Sequence, residues 1–169
     1  MPRNIEIKAR IPDIKATFIR VAEIADQGPI EISQDDFFFS CPNGRLKLRI
    51  LSHGKGRLIF YKRQDRHGPK ECFYVISETK SPESLLKVLS LAFGQKGHVK
   101  KHRTLYISGR TRIHIDRVDG LGDFLELEVV LNEGEDLKTG TAEADELLER
   151  LGVSREQLVE GAYVDYLHS

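Results

Sequence analysis

Asn4-Ile5-Glu6-Ile7-Lys8-Ala9-Arg10 alternates without a break. Successive side chains of an extended chain point to opposite sides, so Ile5, Ile7 and Ala9 share one face and Asn4, Glu6, Lys8 and Arg10 the other. The stretch reads as a strand with one apolar and one charged face, and this division returns along the chain. Arg45, Lys47 and Arg49 lie opposite Leu46, Leu48 and Ile50, and a His53-Gly54-Lys55-Gly56 turn leads into residues 57–63 as a hairpin. The period of two resumes at Phe37 after the first helix. A turn at residues 65–69 precedes a strand over 72–80, and three more strands follow over 99–108, 111–118 and 124–131. Ser108-Gly109 and Asp119-Gly120-Leu121-Gly122 join those last three.

The helices are marked by their ends. Pro12-Asp13 opens a helix carrying Ile14, Phe18, Val21, Ala22 and Ala25 at helical spacing, closing near Gly28-Pro29. Ser81 caps a second helix with Pro82 at its first position, and Gly94 stops it. The tail is helical over residues 141–151, closed by Gly152, and again over 154–160, where Ser154 and Gln157 form a capping box. This order describes an α+β domain with an antiparallel sheet of seven or eight strands, one domain over residues 1–169.

The 169 residues are 40% hydrophobic, enough for a real core. No apolar run approaches the roughly 20 residues of a membrane span, and the opening residues lack the apolar stretch of a secretory signal. No membrane association is expected, and the expected compartment is the cytoplasm. Cys41 and Cys72 have no Cys or His neighbours at zinc spacing and read as two buried thiols.

Charge is segregated. Lys plus Arg equal Asp plus Glu at 26 each, yet residues 1–44 carry 5 basic and 7 acidic groups, residues 45–112 carry 17 and 4, and residues 113–169 carry 4 and 15. A segment at +13 repels itself unless it faces water, a polyanion or the acidic third at −11. The charged strand faces allow two readings. Either each faces solvent over a half-buried sheet, or the strands close into a barrel with helices packed outside and the charges lining a central cavity. Strand after strand offers Arg and Lys rather than a mixture of Ser, Thr and both signs. That composition favours the closed form, whose crowded cations call for a polyanion.

Glu126 and Glu128 are two apart on a strand and share a side, and Glu6 on the first strand can join them. They read either as solvent-facing residues or as a hard oxygen site for Mg²⁺ or Mn²⁺ completed by waters and ligand phosphates. Asp116 shares a face with Arg112 and His114. It orients a basic partner or a metal-bound water, or forms a structural salt bridge. His102 and His114 read as structural histidines.

Several stretches taken in order resemble the CYTH domain, the triphosphate tunnel metalloenzymes, which include class IV adenylyl cyclases and thiamine triphosphatases. Asn4-Ile5-Glu6-Ile7-Lys8 is similar to the family's Glu-x-Glu-x-Lys opening. Leu46-Lys47-Leu48-Arg49, Tyr61-Lys62-Arg63 and Lys101-His102-Arg103 are similar to its basic strands. Arg112-Ile113-His114-Ile115-Asp116, Val118-Asp119-Gly120-Leu121-Gly122 and Phe124-Leu125-Glu126-Leu127-Glu128 resemble the cyclase branch most. Tyr163-Val164-Asp165-Tyr166-Leu167 resembles that branch's closing Ser-Tyr-x-Asp-Leu, with Ala162 in place of the Ser. Asn4 stands where the family usually has a metal-binding Glu. An amide oxygen still ligates a hard cation but brings no charge, so weaker metal affinity is expected.

The resemblance implies a closed eight-stranded antiparallel barrel with helices outside and a triphosphate along its lumen. Carried over residue by residue, Lys8, Lys47, Arg49, Lys62, Lys80, Lys101, Arg103 and Arg112 would bind phosphates, with Arg63 an alternative to Lys62. Glu6, Glu126 and Glu128 would hold Mg²⁺ or Mn²⁺, and Lys8, Arg112 and Asp116 would serve the chemistry. The implied reaction is conversion of ATP to cyclic AMP and pyrophosphate, with inorganic or thiamine triphosphate hydrolysis as the alternative. A non-catalytic binder of nucleotide or polyphosphate is a further reading. Nucleic-acid binding is disfavoured, because the basic strand faces carry no interleaved aromatics. The cyclase branch implies a homodimer.

Overall fold

In the computed structural model, which describes residues 2–64 and 68–167, strand pairing runs β5-β4-β3-β2-β6-β7-β8-β1 and returns from β1 to β5. Every pairing is antiparallel, and the eight strands close a barrel. The elements are β1 (Arg3–Arg10), α1 (Ile14–Ile24), β2 (Gln27–Phe39), β3 (Arg45–Leu51), β4 (Gly56–Arg63) and β5 (Lys70–Thr79). They continue with α2 (Pro82–Phe93), β6 (Gln95–Ser108), β7 (Thr111–Val118), β8 (Gly122–Val130), α3 (Leu137–Arg150), β9 (Leu158–Val159) and α4 (Tyr163–Leu167).

The apolar strand faces look outward. Ile5 and Ile7 of β1, Ile113 and Ile115 of β7, and Leu125, Leu127 and Val129 of β8 are buried against Val21 of α1 and Ala144, Leu147 and Leu148 of α3. Each fully buried aliphatic side chain of this kind contributes about 1.5–3 kcal/mol. On the far side α2 lays Leu85, Leu86 and Leu89 over Leu46, Leu48, Ile50 and Leu58. A third cluster, with Phe38, Val99, Phe124, Ala162 and Tyr163, fills one end of the barrel. No helix of the described residues is long and apolar enough to cross a membrane.

Several expectations shift. β2 begins at Gln27, ten residues before Phe37; residues 33–36 are polar on both faces, so the sequence shows no period of two there. β6 begins at Gln95, directly after the Gly94 cap of α2. Ser81 occupies the N-cap position without a side-chain hydrogen bond, and Pro82 starts the helix. α3 begins at Leu137, capped by Asp136 accepting from Lys138 N at 3.1 Å, and runs through Gly140. A Cβ on Gly140 would meet Leu131 Cδ2 at 2.6 Å and Ile5 Cγ1 at 2.8 Å, so the glycine lets the helix approach the barrel closely. The capping box of Ser154 and Gln157 is present, but it starts a single 3₁₀ turn, Arg155–Gln157. The chain then becomes β9, which pairs with β1 at Lys8 and Ala9. Of the turn at 65–69, residues 65–67 lie outside the described residues. Cys72 is buried, but Cys41 is half-buried, on the loop after β2.

Candidate active site in the barrel lumen

With the apolar faces turned outward, period-two geometry sends the other set of side chains inward. They enclose a cavity of about 220 Å³. β1 contributes Asn4, Glu6 and Lys8, β2 Gln34 and Asp36, β3 Lys47 and Arg49, and β4 Arg57 and Arg63. β6 adds Lys101 and Arg103, β7 Arg112 and His114, and β8 Glu126 and Glu128. Eight basic side chains therefore face four carboxylates around the space.

Carboxylates fix the arginines in place. Arg49 donates from Nε to Asp36 Oδ1 at 2.8 Å and from Nη2 to Oδ2 at 2.9 Å. Arg103 makes the same forked contact with Asp116, at 2.7 and 2.8 Å, and the Tyr163 hydroxyl donates to Asp116 Oδ2 at 2.7 Å. Lys101 and Lys47 stand 3.4 and 3.7 Å from Asp36, and Lys8 stands 3.5 Å from Glu126. Arg63 donates from Nη1 to Glu6 at 3.1 Å, while its Nε and Nη2 are buried with no hydrogen-bond partner among the described residues. Asn4 Oδ1 and Gln34 Oε1 are likewise buried and unbonded.

This crowding moves the ionisations. Burial, with Arg49 beside it, pushes the Lys47 amine down to about 7. Burial, with Arg103 and Arg49 overcoming the help of Asp36, brings Lys101 to about 8. Lys8 is lowered too, chiefly by burial. Burial opposes ionisation of Asp36, yet Arg49, Lys101 and Lys47 outweigh it and hold the carboxyl well below its usual range. Glu128 goes the other way: burial and the neighbouring Glu126 and Glu6 push it up to about 8. Burial and Arg103 lower His114 to about 4.

One wall gathers metal-ligating groups. Ligand atoms of His114, Glu126 and Glu128 lie within 4.8 Å of one another. Glu6 faces Glu128 in the β1–β8 register and accepts from Arg63 through one oxygen, while His114, which read as structural, stands with Glu126 and Glu128. Two carboxylates and an imidazole suit a first-row divalent ion such as Mn²⁺, and the carboxylates also suit Mg²⁺. The like-charge pressure on Glu128 and the unbonded Asn4 oxygen on the same lumen fit a cation there.

Six of the eight expected phosphate ligands line the lumen: Lys8, Lys47, Arg49, Lys101, Arg103 and Arg112. Lys62 does not; the inward parity of β4 is Arg57, Ile59, Tyr61 and Arg63, so Lys62 is exposed and Arg63 turns in. Lys80 lies one residue beyond the end of β5 and is exposed. Asp116 is fully buried behind Arg103, which it orients. Asp36, Gln34 and Arg57 escaped the sequence reading, the first two because β2 shows no contrast between its faces.

The CYTH domain model matches residues 2–163. The chain belongs to the CYTH family. Adenylate cyclase CyaB of Aeromonas hydrophila is 26% identical over 171 residues, covering 95% of this chain and 86% of that one. The PH1012 protein of Pyrococcus horikoshii OT3 shares the fold at a TM-score of 0.85 and 24% identity, over 96% of this chain and 98% of that one. A Hippeastrum protein described as having a dominant triphosphatase activity shares it at a TM-score of 0.67 and 15% identity, over 97% and 93%. For this CYTH chain those likenesses agree with the closed barrel and its helical wrap.

Proposed function

We propose that this chain is a metal-dependent enzyme that binds a triphosphate along its lumen, acting as one domain over residues 1–169. The first reading of its reaction is conversion of ATP to cyclic AMP and pyrophosphate. The observation that carries the proposal is the cation-rich cavity itself, with buried Arg63 donors that no described residue satisfies. Leaving such donors unpaired costs free energy that phosphate oxygens would recover. The likeness to adenylate cyclase CyaB along 95% of the chain supports the cyclase reading.

In this scheme Asp36 and Asp116 hold Arg49 and Arg103 ready, so forked donors meet the phosphates without reorganising. Lys8, Lys47 and Lys101 sit near neutrality or are depressed when the lumen holds no anion, and phosphate charge draws them back to the ammonium form. Arg112, exposed at one end, meets the phosphate nearest the organic group. Glu126, Glu128 and His114 would hold Mg²⁺ or Mn²⁺, with Asn4 and Glu6 beside them. A divalent ion at that wall supplies charge neutralisation and Lewis-acid polarisation of a phosphoryl oxygen. Positioning and charge compensation are what phosphoryl chemistry chiefly asks of a protein.

Hydrolysis of a triphosphate is the second reading, favoured by the rim. Ile32, Tyr74, Ile76 and Leu105 stand there with Arg57 and Arg112, so the rim can stack on an aromatic group but offers little that reads a base edge. Incubation with Mn²⁺ or Mg²⁺ and ATP, thiamine triphosphate or tripolyphosphate separates the readings. Cyclic AMP with pyrophosphate supports the first, and free phosphate supports the second. Binding without turnover of any of them would overturn the enzyme assignment. Glu126→Gln, which keeps the side-chain shape, is expected to remove metal-dependent turnover and to weaken Mn²⁺ binding measured calorimetrically.

A further inference from the structure

A second cavity, of about 260 Å³, lies outside the lumen, where the end of β2, the starts of β3 and β6, and α4 meet. Phe38, Phe39, Leu46 and Val164 give it apolar walls. Phe38 borders both spaces, and on the lumen side Lys47 Nζ lies 5.8 Å from its ring centroid. The charged groups around the second cavity, Arg45, Lys96 and Asp165, do not balance. Asp165 accepts from Arg45 through both oxygens, at 3.0 and 2.7 Å, and from the Ala162 amide at 2.8 Å, so its charge is already matched. Lys96 is exposed and has no hydrogen-bond or ion-pair partner among the described residues. One cation in surplus therefore stands beside an apolar hollow. The fork to Asp165 also leaves Arg45 with further N–H groups for an incoming acceptor, since a guanidinium carries five.

We infer that this cavity is a second ligand site, one that takes a compact monocarboxylate with an apolar body, such as a single aromatic ring. The carboxylate meets Lys96 and the remaining N–H groups of Arg45, and the body fills the space against Phe38, Phe39, Leu46 and Val164. One negative charge answers one surplus cation. Volume sets the size of the body: sites for drug-sized ligands run to about 300–1,000 Å³, and this cavity lies just below that range. A ring fits where a whole nucleotide does not. Apolar walls also disfavour a phosphate chain, whose oxygens would be buried there without donors. The inference is independent of the triphosphate reading, because none of these charged groups lines the lumen.

The test titrates phenylacetate and its uncharged counterpart phenylacetamide into the isotope-labelled full chain and follows the backbone amide signals by NMR. The expected result is saturable shifts centred on Cys41, Arg45 and Lys96, with phenylacetate binding at least about tenfold tighter than phenylacetamide, a difference of about 1.4 kcal/mol. Lys96→Gln, at an exposed position, should remove most of that advantage and leave the melting temperature unchanged. Cys41 lines the cavity and is half-buried whereas Cys72 is buried, so alkylation of Cys41 by iodoacetamide, read by peptide mass spectrometry, should slow as phenylacetate fills the site. Added tripolyphosphate should leave the shifts in place; their loss would put the carboxylate among the lumen cations and overturn the inference. Equal binding of the two compounds, or an unchanged ratio in Lys96→Gln, would overturn the charge match on which the ligand class stands. Absence of shifts at these amides with both probes would overturn the site.

Discussion

Glu6 and Glu128 stand opposite each other in the β1–β8 register, yet among the described residues Arg63 pairs with Glu6, its Nη1 3.1 Å from Oε2, whereas Glu128 faces the imidazole of His114 at 3.7 Å. Glu128 is left beside Glu126 and His114, with its carboxyl raised to about 8. Arg63 therefore divides the acidic wall into a paired carboxylate and a group open to a cation.

Replacing Arg63 by Met leaves Glu6 largely buried, without its ion-pair partner and close to two other carboxylates. Breaking one partner of a buried pair costs about 3–5 kcal/mol. The variant should melt well below the parent in chelator and recover part of the loss in Mn²⁺, which the enlarged carboxylate set would bind more tightly. Thermal melts with and without Mn²⁺ measure both effects, and an equal deficit in the two conditions would contradict this division of the wall.

Arg49→Ala removes a forked donor that Asp36 holds ready. Charge-assisted hydrogen bonds contribute about 1.5–3 kcal/mol each, so tripolyphosphate binding should fall about 10- to 100-fold. Orthophosphate, which cannot reach all the cations together, should lose far less. Equal losses for the two ligands would argue against a shared cradle.

Lys47 near 7 and Lys101 near 8 set a pH signature. Both lie below the usual lysine value of about 10.4, so between roughly pH 7 and 10 the unfolded chain binds more protons than the folded one. Their contribution to stability therefore rises with pH across that window, and the charging penalty is fully present below pH 7. Phosphates reverse the shift, so binding at pH 8.5 should take up protons and should weaken as pH rises further. Calorimetry in two buffers of different ionisation enthalpy reads the uptake, and Lys47→Met should reduce it.

Gly140→Ala would ordinarily stabilise a helix by about 1 kcal/mol. Here the new methyl meets Leu131 and Ile5 well inside contact distance, and overpacking of this kind costs about 1–3 kcal/mol. A net loss of about 1 kcal/mol should lower the melting temperature by about 2–4 °C without changing triphosphate affinity. A rise in melting temperature would show that α3 has room to shift.

Strands whose two faces contrast were legible as sequence. Ile5, Ile7, Ile113, Leu125 and Leu127 declared their faces, and with them the inward direction of Glu6, Lys8, His114 and Glu126. β2 was not, because Glu31, Ser33 and Asp35 outside oppose Gln34 and Asp36 inside, and polarity there distinguishes nothing. Asp36, the carboxylate that anchors three cations, was lost with it. Gly140 hid the first turn of α3, since a glycine within a helix pays off only through contacts distant in sequence. The choice between Lys62 and Arg63 needed the β4 register, and the pairing of Glu6 with Arg63 needed the β5–β1 closure that brings their strands together.

On β1, β7 and β8 the odd-numbered residues hold the fold against the helical jacket, and the even-numbered ones furnish the interior. Architecture and chemistry are thus written on alternating letters of the same strands. Successive exchange of inward residues could give this shell a different reactivity while its exterior packing stays untouched, so homologues can share a skeleton and diverge in what they transform.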